Sequence, residues 1–156
     1  MAQARAFTPQ AAGDPQLAAL KLPPHSIEAE QSLLGGLLLD NSAWDRIADQ
    51  VAEADFYRDD HRRIFRHIAK LIEAGRPADV VTVYESLEKA AESEQAGGMA
   101  YLGEIANNTP SAANIKRYAE IVRERALLRW GGARWTSLRV GLVFALVALL
   151  WTRFAP

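Results

Sequence analysis

The chain has 156 residues, 49% of them hydrophobic, and a net charge of −1. That is long enough for one domain with a real core, and it provides no global field toward nucleic acid or membrane. There is no cysteine, which excludes disulfides and thiolate-held zinc.

Residues 1–20 are rich in Ala, Gln and Pro with few large apolar groups, and the composition predicts a disordered tether. Pro23-Pro24 then ends the tail, because proline stops a helix before it and suits the first turn after it. From there the stretch PPHSIEAEQSLLGGLLLDN predicts a helix. Ser26 is its N-cap, Glu28 and Glu30 lie near the positive end of the dipole, and Ile27, Leu34, Leu37 and Leu38 form a buried face. Gly35-Gly36 in mid-helix is unfavourable in isolation, by about 1 kcal/mol each. The pair is expected where a neighbouring element crosses closely, and Asp40-Asn41 closes the helix.

Ser42-Ala43-Trp44-Asp45 fits a capping-box variant opening a short second helix, with Trp44, Ile47, Ala48 and Val51 on one side. Asp55-Phe56-Tyr57 is a link whose aromatics plug the core. A third helix capped by Asp59 carries Ile64, Phe65, Ile68, Leu71 and Ile72, and Gly75 stops it at C′. A fourth starts at Asp79; its Val80-Val81-Thr82-Val83 run suits a strand, but the Glu/Lys/Ala-rich continuation favours helix. Met99 to Asn107 is a fifth, with Tyr101, Leu102 and Ile105 inward, and Ser111 caps a sixth bearing Ile115, Tyr118, Ile121 and Val122. Short loops between short helices predict an all-α fold, a compact bundle of about six short helices.

Motor chemistry finds no support. A P-loop needs Gly-Lys-Ser/Thr, and none of Lys21, Lys70, Lys89 and Lys116 follows a glycine or precedes a hydroxyl residue. His61 and His67 are six apart and cannot chelate from one helix face, so no metal site is expected. The local sequence suggests no Ser/His/acid set, and Asp59-Asp60 reads as dipole capping. One basic cluster stands out. Arg62, Arg66 and Lys70 recur every four residues, with Arg63 beside them, and form the candidate interaction surface for an acidic partner or nucleic acid. A solvated face opposite the apolar stripe is the simpler reading, since no aromatics interleave for base stacking.

Three segments carry a resemblance: LKLPPHSIEAEQSLLGGLLLDN, ADFYRDDHRRIF and GGMAYLGEIANNTPSAANIKRYAEIVRERALLR. Together they resemble the N-terminal domain of DnaB-type bacterial replicative DNA helicases, from about Leu20 to Arg129. The resemblance implies an all-helical head followed by a helical hairpin. Heads and hairpins of that family pair into a collar on a hexameric ring, and the collar docks the C-terminal domain of primase. The implied partners are therefore helicase subunits and primase, with DNA contacted only indirectly, in the cytoplasm. ATP and magnesium would belong to a following RecA-like motor. The sequence departs from the family at Trp130-Gly131-Gly132, which is expected to interrupt the sixth helix. No return helix, linker or motor follows in these 156 residues, so the chain is expected to be a truncated, catalytically inactive domain when alone.

Composition also changes at that point. Residues 26–129 hold 13 Lys/Arg against 18 Asp/Glu, whereas 130–156 hold three Arg and no acid. This hydrophobic tail is not of the family pattern. It reads first as a frame error in a helicase gene, then as a marginal membrane anchor over 137–152, then as a separate apolar helix covering the head. The anchor reading carries an alternative location, attached to the inner membrane. Two rival functions follow: a membrane-anchored regulator of the replicative helicase, or a nucleic-acid-binding module built on Arg62, Arg66 and Lys70.

Overall fold

The computed structural model describes residues 23–109 and 111–131, and every regular element among them is helical. The N-terminal tail expected over 1–20 and the apolar helix expected in the tail lie outside the described residues.

Helix α1 (Ile27–Leu39) begins where Ser26 accepts a hydrogen bond from the Ala29 amide at 3.4 Å. It lies in the middle of the bundle, with Leu33, Leu34 and Leu37 fully buried. Asp40 ends α1 and caps the next element by accepting from the Ser42 amide at 3.0 Å. That element, Asn41–Arg46, is a 3-10 turn rather than the expected α-helix, and its cap is Asp40 rather than Ser42. The chain then turns, so Ile47 and Val51 are buried while Ala48 is exposed, and the i, i+4 pattern fails. A second 3-10 turn, Glu53–Asp55, leads into Phe56, which is fully buried.

Helix α2 (Asp59–Glu73) buries Ile64, Phe65, Ile68 and Leu71. Its N-cap position is Arg58, and Asp59 is instead its first residue. It ends in a Schellman motif: Gly75, at φ 68°, donates to Ile72 O and Arg76 donates to Leu71 O, both at 2.9 Å. Helix α3 (Val80–Lys89) is capped by Asp79, which accepts from the Val81 and Thr82 amides, each at 2.9 Å. The cap sets the β-branched run into a helix despite its strand preference. Helix α4 (Gly98–Asn108) turns Leu102 and Ile105 into the core. Helix α5 covers 115–131 and buries Ile115, Ala119, Val122 and Ala126 along one stripe. Of the interruption expected at Trp130-Gly131-Gly132, the first two residues still continue α5, and Gly132 lies outside the described residues.

Helices α1 to α4 close a ring, with α1 against α2 and α4, and α3 against α2 and α4. The crossing anticipated from Gly35-Gly36 is the junction of α1 with the end of α4 and the start of α5. A Cβ on Gly35 would overlap Thr109 Oγ1 and lie 2.7 Å from Ile105 O; one on Gly36 would lie 3.2 Å from Ile115 Cδ1. Asn41 locks the far end of α1. Its amide donates to Leu37 O at 2.8 Å and Ala78 O at 2.9 Å, and its oxygen accepts from the Ala78 amide at 2.9 Å.

Candidate interaction surface

The basic row does not present itself as one free cationic face. Arg62 turns back on the chain that precedes α2, donating from Nε to Phe56 O at 2.9 Å and from Nη2 to Tyr57 O at 3.3 Å. Arg66 bridges Glu53 at 3.0 Å and Glu92 at 3.2 Å. Arg63 joins the same Glu92 at 3.2 Å and Asp59 at 2.9 Å. Lys70 stands apart from these pairs and lines a cleft between α2 and α3. The three residues Arg62, Arg66 and Lys70 therefore share a helix but meet three different environments.

The structure gathers other polar residues that sequence reading passed over. Glu30, read there as a dipole acid, is only 1% exposed. Its carboxylate accepts from the Tyr57 amide at 2.6 Å, the Arg58 amide at 3.4 Å and His61 Nδ1 at 2.7 Å. His61 is fully buried, and its Nε2 lies 2.7 Å from the Tyr101 hydroxyl. Gln31 donates to that hydroxyl oxygen at 3.2 Å. With Nδ1–H donating to Glu30, Nε2 is free to accept the Tyr101 proton, and every member of the chain is satisfied. Burial pushes the Tyr101 pKa above its usual value, which keeps the proton available for that bond. Arg58 covers the Tyr101 ring at 5.5 Å and pairs with Asp60. The signal for Glu30 and His61 was present. Positions 30, 33, 34 and 37 share one helix stripe, as do 61, 64, 65 and 68, so each polar residue occupies an apolar row.

A second set joins α2 to α3. His67 Nδ1 lies 2.7 Å from Ser86 Oγ, and its Nε2 lies 3.4 Å from Glu92 Oε2. Burial lowers the His67 pKa, so the neutral ring accepts from Ser86 and donates toward Glu92. This Ser/His/acid set, not suggested by local sequence, is assembled from α2, α3 and the segment after α3, and braces them. Glu92 is itself held by Arg63 and Arg66, whose charges lower its pKa against the opposing effect of desolvation.

A third set fixes the exit of α5. Asp55, fully buried, accepts from Arg123 Nη1 and from the Ala52 amide, both at 2.8 Å. Arg129 Nη1 donates to Pro24 O at 2.9 Å, and its Nη2 donates to Asp55 O. Between and just after the two arginines of this clasp, α5 exposes Leu127, Leu128 and Trp130, at 52%, 53% and 41%. Among the described residues no cluster of His, Cys, Asp or Glu is arranged to hold a metal.

The arrangement is that of a packing module with polar braces and one apolar helix end. The model of the DnaB-like helicase N terminal domain matches residues 22–124, most of the chain. The chain belongs to the DnaB-like helicase N-terminal domain family. It is 47% identical over 116 residues to the replicative DNA helicase DnaB of Haemophilus influenzae, covering 74% of this chain and 25% of that protein. It is 41% identical over 109 residues to the DnaB of Geobacillus stearothermophilus, covering 70% and 24%. The crystal structure of the N-terminal domain of DnaB helicase from Mycobacterium tuberculosis superposes with a TM-score of 0.70 at 40% identity, over 72% of this chain and 81% of that one. The chain thus spans about a quarter of the length of the curated relatives it matches.

Proposed function

We propose that this chain is a non-catalytic interaction domain for DNA replication, through which helicase subunits associate and to which the C-terminal domain of primase docks. The reading places its work in the cytoplasm, with DNA contacted through its partners. Family membership supports the helicase association. The observation that carries the mechanism is the last two turns of α5, where Leu127, Leu128 and Trp130 are exposed while Arg123 and Arg129 tie the same stretch to Asp55. A helix anchored by these bonds, with apolar side chains exposed among the described residues, is suited to bury them against another subunit. The engaged side chains of Arg62 and Arg66 make a nucleic-acid face on α2 the weaker reading. No helix among the described residues is long and apolar enough to cross a membrane, and the 137–152 stretch lies outside them.

The test is the mass of the purified chain in solution by light scattering, with and without Leu127→Glu and Leu128→Glu. A dimer or larger species that becomes monomeric in the double variant supports the reading. A monomer in both refutes self-association through this end. Co-elution with a primase C-terminal domain tests the docking part separately. No ATP turnover is expected from the pure chain, and turnover that copurifies with it through successive columns would overturn the non-catalytic assignment.

A further inference from the structure

The cleft between α2 and α3 has a volume of about 280 Å³ and collects cations from three places. Lys70 comes from the last turn of α2, Arg76 from the turn that follows and Lys89 from the last turn of α3. Leu71, Ala74 and Ala90 add an apolar lining. Among the described residues Lys70 and Arg76 make no ion pair. Lys89 meets only Glu85, at 3.9 Å across two largely exposed side chains. The neighbouring arginines of α2 differ in this respect, since Arg62, Arg63 and Arg66 are all held by carbonyls or carboxylates.

Helix dipoles explain part of this placement, because cations are favoured in last turns. They do not explain Arg76, which lies beyond the C′ glycine, or the joining of these charges to a concave apolar lining. We propose that the cleft is a docking site for an acidic peptide segment that carries an apolar side chain. Its carboxylates pair with Lys70, Arg76 and Lys89, and its apolar group rests on Leu71 and Ala74. Charge complementarity selects an anionic occupant. The lining favours a peptide over nucleic acid, because it holds no aromatic for base stacking. The proposal is independent of the α5 surface invoked for subunit association.

The test is fluorescence anisotropy with the full chain and a fluorescein-labelled peptide bearing a Leu-Phe pair flanked by aspartates. The same peptide with asparagines and a labelled oligothymidylate serve as comparison probes. The acidic peptide is expected to bind saturably, and Lys70→Glu with Lys89→Glu to weaken it roughly tenfold or more. Ala90→Trp, which fills the cleft without changing charge, is expected to weaken it similarly, with the helical circular dichroism of both variants unchanged. Equal binding of the asparagine peptide, wild-type binding by both variants, or no saturable binding would overturn the proposal. Oligothymidylate binding that vanishes in the charge-reversal variant would also overturn it, by assigning the cleft to nucleic acid.

Discussion

The N-terminal half of α1 meets its neighbours through Glu30 and Gln31, whereas the C-terminal half meets them through Gly35 and Gly36. In the first half, a carboxylate reaches the entry of α2 and a relay of His61 and Tyr101 carries the contact on to α4. In the second, α1 contributes no side chain at Gly35 and Gly36, and Thr109, the Ile105 carbonyl and Ile115 press close against its backbone. Directional bonds set which groups must face each other, while the missing side chains set how near the helices come. One helix uses both because it is buried against elements on several sides and has too little surface to do otherwise.

The largest expected effect tests the polar half. Glu30→Ala leaves His61 and the Tyr57 amide without their acceptor in a buried site, which is expected to cost about 2–5 kcal/mol, at about 1–3 for each stranded donor. Urea denaturation followed by circular dichroism measures it, and a loss below about 1 kcal/mol would show that water replaces the carboxylate.

The glycine pair sharpens the steric half, because adjacent positions should respond differently. At Gly35 a methyl meets the Ile105 carbonyl and the Thr109 side chain, and Gly35→Ala is expected to cost about 2–3 kcal/mol. At Gly36 the nearest atom is the flexible tip of Ile115, and alanine's better helix propensity, about 1 kcal/mol, offsets the crowding. Gly36→Ala should therefore be nearly neutral, and equal losses at both positions would show that the crossing responds as a whole.

Stability should also depend on pH through His67, the other buried imidazole brace. Burial holds its pKa below the ordinary 6.5, against the pull of Glu92 and with Lys70 and Arg66 acting in the same direction as burial. Unfolding restores the ordinary value, so between the two the unfolded chain binds more protons. Stability then falls as pH drops through 6.5 toward the folded pKa, and is restored above it. Denaturation at about pH 7.5 and about pH 5.5 should show this loss reduced in His67→Gln. An identical pH dependence in the variant would remove His67 from the account.

A smaller effect contrasts two helix ends. Ala91 occupies the same left-handed position after α3 that Gly75 occupies after α2, at φ 56°. Ala91→Gly should stabilise by about 1 kcal/mol, since glycine adopts that geometry without Cβ strain. The smallest effect is at the surface. Arg66→Ala removes two exposed ion pairs and should change stability by less than about 1 kcal/mol. A loss as large as that of Glu30→Ala would erase the distinction between buried and exposed polar contacts.

Much of the local structure was legible in the residues. Ser26 and Asp79 caps, the Gly75 stop and the α-helical period of residues 27–39, 59–73 and 98–108 are written in short-range chemistry. The segment 41–51 was not, because an apolar residue at every third or fourth position fits a 3-10 turn followed by an irregular link as well as an α-helix. Glu30 was misjudged for a related reason, since an acid near a helix start has a sufficient local explanation in the dipole, and Asp55 was read only as part of a link.

The sequence by itself determined that this is an all-helical packing module with no P-loop, and which short motifs start and stop its helices. It also determined the family, through segments long enough to specify it. Only the tertiary structure decided that Glu30, His61 and Tyr101 form one chain, that Ser86, His67 and Glu92 form another, and that Lys70 belongs with Arg76 and Lys89 rather than with Arg62 and Arg66. Caps and periodicity act within a few residues and can be read along the chain. The pairs Ser86–His67, Glu30–His61 and Asp55–Arg123 lie 19, 31 and 68 residues apart, and only the packing of the helices brings them within hydrogen-bonding distance.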